Sequence, residues 1–366
     1  MLQLPPGCEI SCPGCAYRGL SAVASAERKQ SYLSRELAPW EAVIEPLREP
    51  AERWGYRKKS LLHVRKLGGE ESSFWGIGMI RRRGREEEFI PIPDCPAHDG
   101  RVNELFSLAA RLVPVHWPFS FALASGRALT IVLKSTRRAE WAAEMRAWVL
   151  PPEISLFVNW NPGAGNRPLD SRRTECLQGS PWLEEGGVRH GPVAFRQQIP
   201  ELERAAVELG ENFLEAAGLP LGVDLYCGLG LSLRRWRALG WEAAGVELSG
   251  ESLAAAAVNA PGALLLRGRT EERLPQLNEF IGGKSFVLYT NPPREGHGAA
   301  VNGWINSAAP ARVAYLSCNP RSLKDDLKVL AERYSVEKIV PFDFFPQTPH
   351  VEAMALLKLR VDLGAL

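Results

Sequence analysis

No stretch of the 366 residues approaches the roughly 18 consecutive apolar residues that a membrane-crossing helix needs, so no span is expected. The opening MLQLPPGCEI lacks a basic region followed by an apolar stretch, the pattern of an export signal, and the expected location is the cytoplasm. Internal repeats and low-complexity segments are absent, which excludes solenoids and long disordered tails. Excess charge of one sign is nearly absent too. Lys and Arg number 44 and Asp and Glu 42, a net +2 that argues only weakly for a nucleic-acid partner. The seven cysteines are an odd number in a chain without an export signal, so a disulfide framework is not expected.

What is present is ordinary globular composition, 45% apolar and 23% charged, with length for two domains. The expected division is 1–193 and 194–366. The second part alternates short apolar runs with amphipathic stretches. Helices are expected over 199–217, 232–239, 251–259, 299–307 and 321–333. Strands are expected over 223–226, 243–248, 263–266, 286–289 and 313–316, with a closing pair over 336–342 and 353–359. Repeated strand–helix units of this size imply an α/β fold, a parallel sheet with helices on both faces, to which a closing hairpin adds an antiparallel edge strand. The first part is less regular and reads as α+β. Strand-like runs lie at 129–133 and 154–158, amphipathic stretches at 101–112 and 140–149, and a turn at 159–166.

Charge is distributed unevenly. Arg53, Arg57, Lys58, Lys59, Arg65 and Lys66 crowd one segment, and Arg81, Arg82, Arg83 and Arg85 another. Each reads equally well as a phosphate-contacting face or a solvated one, with Glu86, Glu87 and Glu88 compensating the second.

Three segments carry chemistry. Asp-Leu-Tyr-Cys-Gly-Leu-Gly at 224–230 follows a strand and precedes a helix, so Gly228 and its neighbour allow the backbone to approach a ligand. Glu247 ends the next strand, where a carboxylate can accept bonds from ribose hydroxyls. Leu233 stands where a dinucleotide fingerprint has its third glycine, which favours S-adenosylmethionine over NAD; the bland alternative is a plain strand–helix turn. Asn-Pro-Pro-Arg at 291–294 follows another strand. Amino-directed methyltransferases carry an aromatic just after such an Asn-Pro-Pro, and cytosine-C5 enzymes a cysteine nearby; Arg294 argues against both. Ser-Cys-Asn-Pro at 317–320 places Cys318 at a strand end and close to a helix N-terminus, where the positive dipole end is expected to lower a thiol pKa. Most lone cysteines are small buried hydrophobes instead. Glu352, before the last strand, is either a surface carboxylate or, in a closed pocket, a base.

In order and spacing, residues 224–230, 291–296, 317–320 with Leu327, and 345–352 resemble the bacterial RNA uracil-C5 methyltransferase family, whose members act on transfer RNA or 23S ribosomal RNA. Phe-Arg-Gln at 195–197 looks like its Phe-x-Gln motif, and 54–57 and 78–96 are similar to its central domain. The resemblance covers most of the chain. It implies a class I Rossmann-like methyltransferase domain preceded by an α+β central domain with an iron–sulfur cluster. It implies that Cys318 is the nucleophile and Glu352 the base. Gln197, Tyr226, Gly228, Glu247 and Asn291 would bind S-adenosylmethionine. Cys8, Cys12, Cys15 and Cys95 would hold a [4Fe–4S] cluster; on chemistry alone four such thiols suit zinc as well.

The chemistry explains the first pair. Uracil C5 is too weak a nucleophile to accept a methyl group unaided, and thiolate addition at C6 puts electron density on it. A base must then remove the C5 proton so that the thiolate can leave. The target base must be unstacked, so the expected partner is a loop or flipped nucleotide of RNA, 23S ribosomal RNA ahead of transfer RNA. The alternative is a non-catalytic RNA-binding descendant. A monomer is expected, and the N-terminal β-barrel of some relatives is not, since seven residues precede Cys8. The chain departs from the family pattern at Ile199, Leu231, Asn291 and Arg269, the last of which stands where an Asp or Asn usually meets the adenine.

Overall fold

The computed structural model describes residues 4–69, 72–164 and 167–360. They form two compact units. One comprises Met1–Gly19, Glu52–Glu184 and Gly191–Val193; the other comprises Leu20–Ala51, Glu185–His190 and Ala194–Leu366. The single division at 193/194 therefore differs from the observed one. The reason is helix α1 (Ala22–Glu36). Its Leu33, with Leu37 just beyond it, is fully buried in the apolar cluster of the second unit, which outweighs sequence proximity to the first.

The first unit is built on a seven-stranded sheet. Its strands are β1 (Lys59–Leu67), β2 (Phe74–Arg83), β3 (Glu86–Pro91), β4 (Phe119–Ser125), β5 (Ala128–Leu133), β6 (Ser155–Trp160) and β7 (Thr174–Gln178), in the order β3-β2-β1-β4-β5-β6-β7. Only β5 and β6 pair in parallel, with α3 (Ala139–Arg146) in the crossover between them. Helix α2 (Gly100–Leu112) is capped by Asp99, whose side chain accepts from Arg101 N, and buries Val102, Leu105, Phe106 and Ala109 at helical spacing. The expected turn at 159–166 starts later, because β6 runs to Trp160; Gly165 and Asn166 lie outside the described residues. Two three-residue strands follow in the chain, β8 (Leu183–Glu185) and β9 (Val188–His190), of which β9 belongs to the second unit.

The second unit holds the alternating pattern. Besides α1, its helices are α4 (Pro200–Glu215), α5 (Leu231–Ala238), α6 (Gly250–Asn259), α7 (Thr270–Ile281), α8 (Gly298–Ala308) and α9 (Pro320–Leu330). Its strands are β10 (Leu221–Asp224), β11 (Glu242–Glu247), β12 (Leu264–Arg267), β13 (Val287–Thr290), β14 (Arg312–Ser317), β15 (Tyr334–Phe342) and β16 (Glu352–Leu359). The sheet order is β12-β11-β10-β13-β14-β16-β15. Strands β10 to β14 run in parallel, and β16 is antiparallel to both of its neighbours. The antiparallel strand is thus interior, not the expected edge; β15 takes the edge. Helix α7 was not expected, because Pro275 inside it breaks the usual helical signal.

Alternate strand residues face opposite sides of this sheet. Val223, Val246, Leu288 and Val313 join the cluster containing Leu33, Leu277, Ile305 and Leu323 from α1, α7, α8 and α9. On the other side space is tight: a Cβ on Gly222 would meet the Trp236 ring of α5 at 2.5 Å, and one on Gly210 of α4 would meet Tyr289 at 3.0 Å. Two covered faces leave the strand ends as the place for a site.

Candidate active site

The candidate side chains gather at the carboxyl edge of β10, β11, β13 and β14. β10 ends at Asp224, whose carboxylate accepts Tyr226 N at 3.1 Å and is bonded by the Ser232 hydroxyl of α5. Burial pushes this carboxyl up to about 7, against the pull of those two donors. The chain then turns through Gly228 and Gly230, at φ +51 and +75, a region that penalises any Cβ. Glu247, the last residue of β11, fastens the turn. Its Oε2 accepts Gly228 N at 3.1 Å and its Oε1 accepts Ser249 N at 2.6 Å. Cys227 packs its sulfur where a Cβ on Gly245 would fall, 2.7 Å away, so it is a loop-packing residue. Asn291 is the first residue beyond β13.

Cys318 and Glu352 come together through strand register. The last pair of the antiparallel β14–β16 ladder is Ser317–Ala353. Cys318 is the next residue of one strand and Glu352 the preceding residue of the other, so both leave the ladder at the same end. Glu352 is 3% exposed and accepts Gln197 Nε2 at 2.7 Å. Burial raises its carboxyl to about 7, and the Gln197 bond restrains the rise. The Cys318 thiol is also raised, first by burial and then by the Glu352 carboxylate; Arg294 opposes this and Glu295 adds to it. The expected lowering by the helix end is therefore outweighed. That helix is capped by Asn319, which accepts Arg321 N at 3.2 Å, one residue beyond the thiol.

Sequence reasoning missed two features. Gln197, expected at the cofactor, spends its amide N–H on Glu352, while its Oε1 is buried without a partner. The second is a buried polar network behind the Asn-Pro-Pro-Arg loop. Thr290 Oγ1 lies 2.8 Å from His297 Nε2, and His297 Nδ1 lies 3.0 Å from Asn302 Oδ1. Asn302 Nδ2 donates to Asp326 Oδ1 at 2.6 Å, and Tyr315 OH and His297 N donate to Asp326 Oδ2 at 2.6 and 2.9 Å. The His297 ring lies parallel to Tyr226, 6.2 Å between centroids. The hydrogen-bonded partners are up to 29 residues apart and show no periodicity.

Comparisons with known proteins bear on the family and the fold. Residues 269–360 match the family described as tRNA (Uracil-5-)-methyltransferase. A Thermosynechococcus vestitus protein described as an uncharacterized RNA methyltransferase is 30% identical, covering 97% of this chain and 84% of that protein. The 23S rRNA (uracil(747)-C(5))-methyltransferase of Edwardsiella ictaluri is 26% identical, covering 94% and 96%. The chain belongs to the RNA uracil-C5 methyltransferase family. Members are methyltransferases, so the chain is by family an enzyme. The solved structure of Pyrococcus abyssi tRNA (uracil-54, C5)-methyltransferase, in complex with S-adenosyl-L-homocysteine, is 19% identical; it superimposes with a TM-score of 0.73 over 95% of this chain and 86% of that one, which shows the same fold.

The remaining expectations for this uracil-C5 methyltransferase relative fare differently. Arg269 stands at the N-cap position of α7 without a side-chain capping bond; its side chain is 66% exposed and 3.6 Å from Glu271. Arg82 pairs with Glu87 at 2.9 Å across the β2–β3 ladder, and Arg81 pairs with Glu88, so the solvated reading suits these two. The four expected cluster cysteines are all free thiols in the first unit. Cys15 is pushed up to about 11 by burial, with Cys95, Cys12 and Cys8 adding to it, so the four sulfurs feel one another. Yet among the described residues no three His, Cys, Asp or Glu side chains are arranged to hold a metal ion. The donor chemistry suits a cluster; a finished ligand set is not formed. No described helix is long and apolar enough to cross a membrane.

Proposed function

We propose that this chain methylates C5 of a uridine in RNA, with Cys318 as nucleophile and Glu352 as base. One observation carries the reading: Cys318 and Glu352 leave adjacent antiparallel strands at the same end, the carboxyl nearly fully buried. S-adenosylmethionine, when bound, supplies an electrophilic methyl group. Tyr226, Gly228, Glu247 and Asn291 would hold it at the strand ends, and the unpartnered Gln197 Oε1 offers an acceptor for a ligand N–H. The Cys318 thiolate would add to C6 and leave C5 electron-rich toward the methyl group that S-adenosylmethionine would supply. Glu352 takes the C5 proton, the C5–C6 double bond re-forms and the thiolate departs. A carboxyl poised at about 7 suits this transfer near neutral pH.

The substrate we favour is 23S ribosomal RNA, because relatives from Edwardsiella ictaluri and Shewanella denitrificans are named for 23S uracils. Labelled methyl transfer to unmodified 23S and transfer RNA tests both points. Transfer to 23S RNA that Cys318→Ala abolishes is the expected result. Transfer to transfer RNA alone would overturn the substrate, and activity surviving in Cys318→Ala would overturn the nucleophile.

The four thiols of Cys8, Cys12, Cys15 and Cys95 support, by their chemistry, a [4Fe–4S] site, with zinc as the competing occupant. Protein purified without oxygen should be brown and contain iron and sulfide; colourless protein with stoichiometric zinc would reject the cluster.

A further inference from the structure

The catalytic reading leaves a buried carboxylate unused. Asp326 lies inside α9, 5% exposed, and accepts three donors: His297 N, Asn302 Nδ2 and Tyr315 OH. Each comes from a different part of the site's support. His297 ends the loop that begins at Asn291, Asn302 belongs to α8, and Tyr315 lies in β14 three residues before Cys318. Asn319, at the start of the same helix, donates its Nδ2 to Arg294 O at 2.8 Å. Helix α9 therefore grips this loop on both sides of Gly296, through Asn319 at Arg294 and through Asp326 at His297. The fit is close. A Cβ on Gly296 would meet Asp326 Oδ2 at 2.5 Å, and its φ of +83 already calls for glycine. A buried carboxylate with three donors holds its neighbours firmly, because any donor that leaves remains unpaired in a low dielectric.

We propose that Asp326 is a positioning residue, pinning the 291–297 loop, whose Arg294 is bonded through its carbonyl to Asn319, the residue after Cys318. Arg294 is the cation that favours the thiolate, against Glu352 and Glu295, which disfavour it, and against burial. Asp326 is buried among protein donors and acts through the loop that carries Arg294. The network's contact with the cofactor loop, His297 stacked on Tyr226, leaves that route intact.

This inference rests on Cys318 being the nucleophile, which Cys318→Ala tests separately through methyl transfer. Asp326 is tested by the pH dependence of Cys318 alkylation, read by mass on the Cys318 peptide of the intact, full-length protein. In Asp326→Asn one oxygen becomes an NH2 that faces donors, so the loop should loosen. The alkylation curve should move to higher pH, as it should in Arg294→Ala, and the double variant should move no further than Arg294→Ala alone. Turnover should fall about 10- to 100-fold, the usual consequence of a misplaced reacting group. Gly296→Ala displaces the carboxylate from the loop side and should shift the curve the same way, which keeps the test alive if Asp326→Asn does not fold. Curves that coincide with the parent's in both single variants, or an additive shift in the double, would overturn the role given to Asp326.

Discussion

At Glu352 one bond sets the chemistry. The carboxyl is raised to about 7 because water is excluded, and the Gln197 N–H is the group holding it down. A base must be ionised to accept a proton, so the single-turnover methylation rate should rise as pH climbs through about 7. Replacing Gln197 by Leu removes the donor and leaves the carboxylate buried without compensation. The rising limb should then move to higher pH, while raising the pH should restore much of the lost rate. A profile unchanged in Gln197→Leu would mean that the donor does not control this group. Cys318 adds its own demand for high pH, since burial and Glu352 both raise the thiol. The two requirements reinforce each other on the same side of the profile, and uracil entering the pocket changes both by excluding more water.

At the scale of elements, legibility followed locality. The parallel strands and most helices of the second unit announce themselves by apolar runs and 3.6-residue faces, and each was placed within a few residues. The cofactor loop was legible because strand, glycines and helix are contiguous. Helix α7 was hidden by Pro275, which a single-segment reading counts against a helix. The insertion of β16 between β14 and β15 was hidden for another reason. Both orders of the closing hairpin have the same local sequence, and only pairing with β14 decides between them. That choice matters chemically, since it delivers Glu352 next to Cys318. The membership of α1 in the second unit was equally unreadable, because Leu33 finds its partners hundreds of residues away. The Gln197–Glu352 bond joins residues 155 apart, and no spacing rule reaches that far.

At the scale of the whole molecule, the second unit carries, among its described residues, three buried carboxyls with raised values: Glu352 and Asp224 at about 7 and Glu211 at about 8. In each the largest cause is burial. Their ordinary values are 4.5 for the glutamates and 3.8 for the aspartate, so between those values and about 7 to 8 the folded chain keeps protons that the unfolded chain has released. A raised group contributes stability that is fully present below its unfolded value and is lost as pH rises through its folded value. These three groups therefore favour the folded state at pH 4 relative to pH 8. Function asks for the opposite at Glu352, whose ionised form is the base, so activity and stability pull apart across neutral pH. Glu352→Gln keeps an oxygen to accept the Gln197 N–H but cannot ionise. Its melting temperature should match the parent's at pH 4 and exceed it increasingly up to about pH 8, by the equivalent of ~1–3 kcal/mol, while methyl transfer is lost. A difference in melting temperature that stays constant from pH 4 to pH 8, followed by calorimetry, would mean that the buried Glu352 carboxyl does not change its charge on folding in this range.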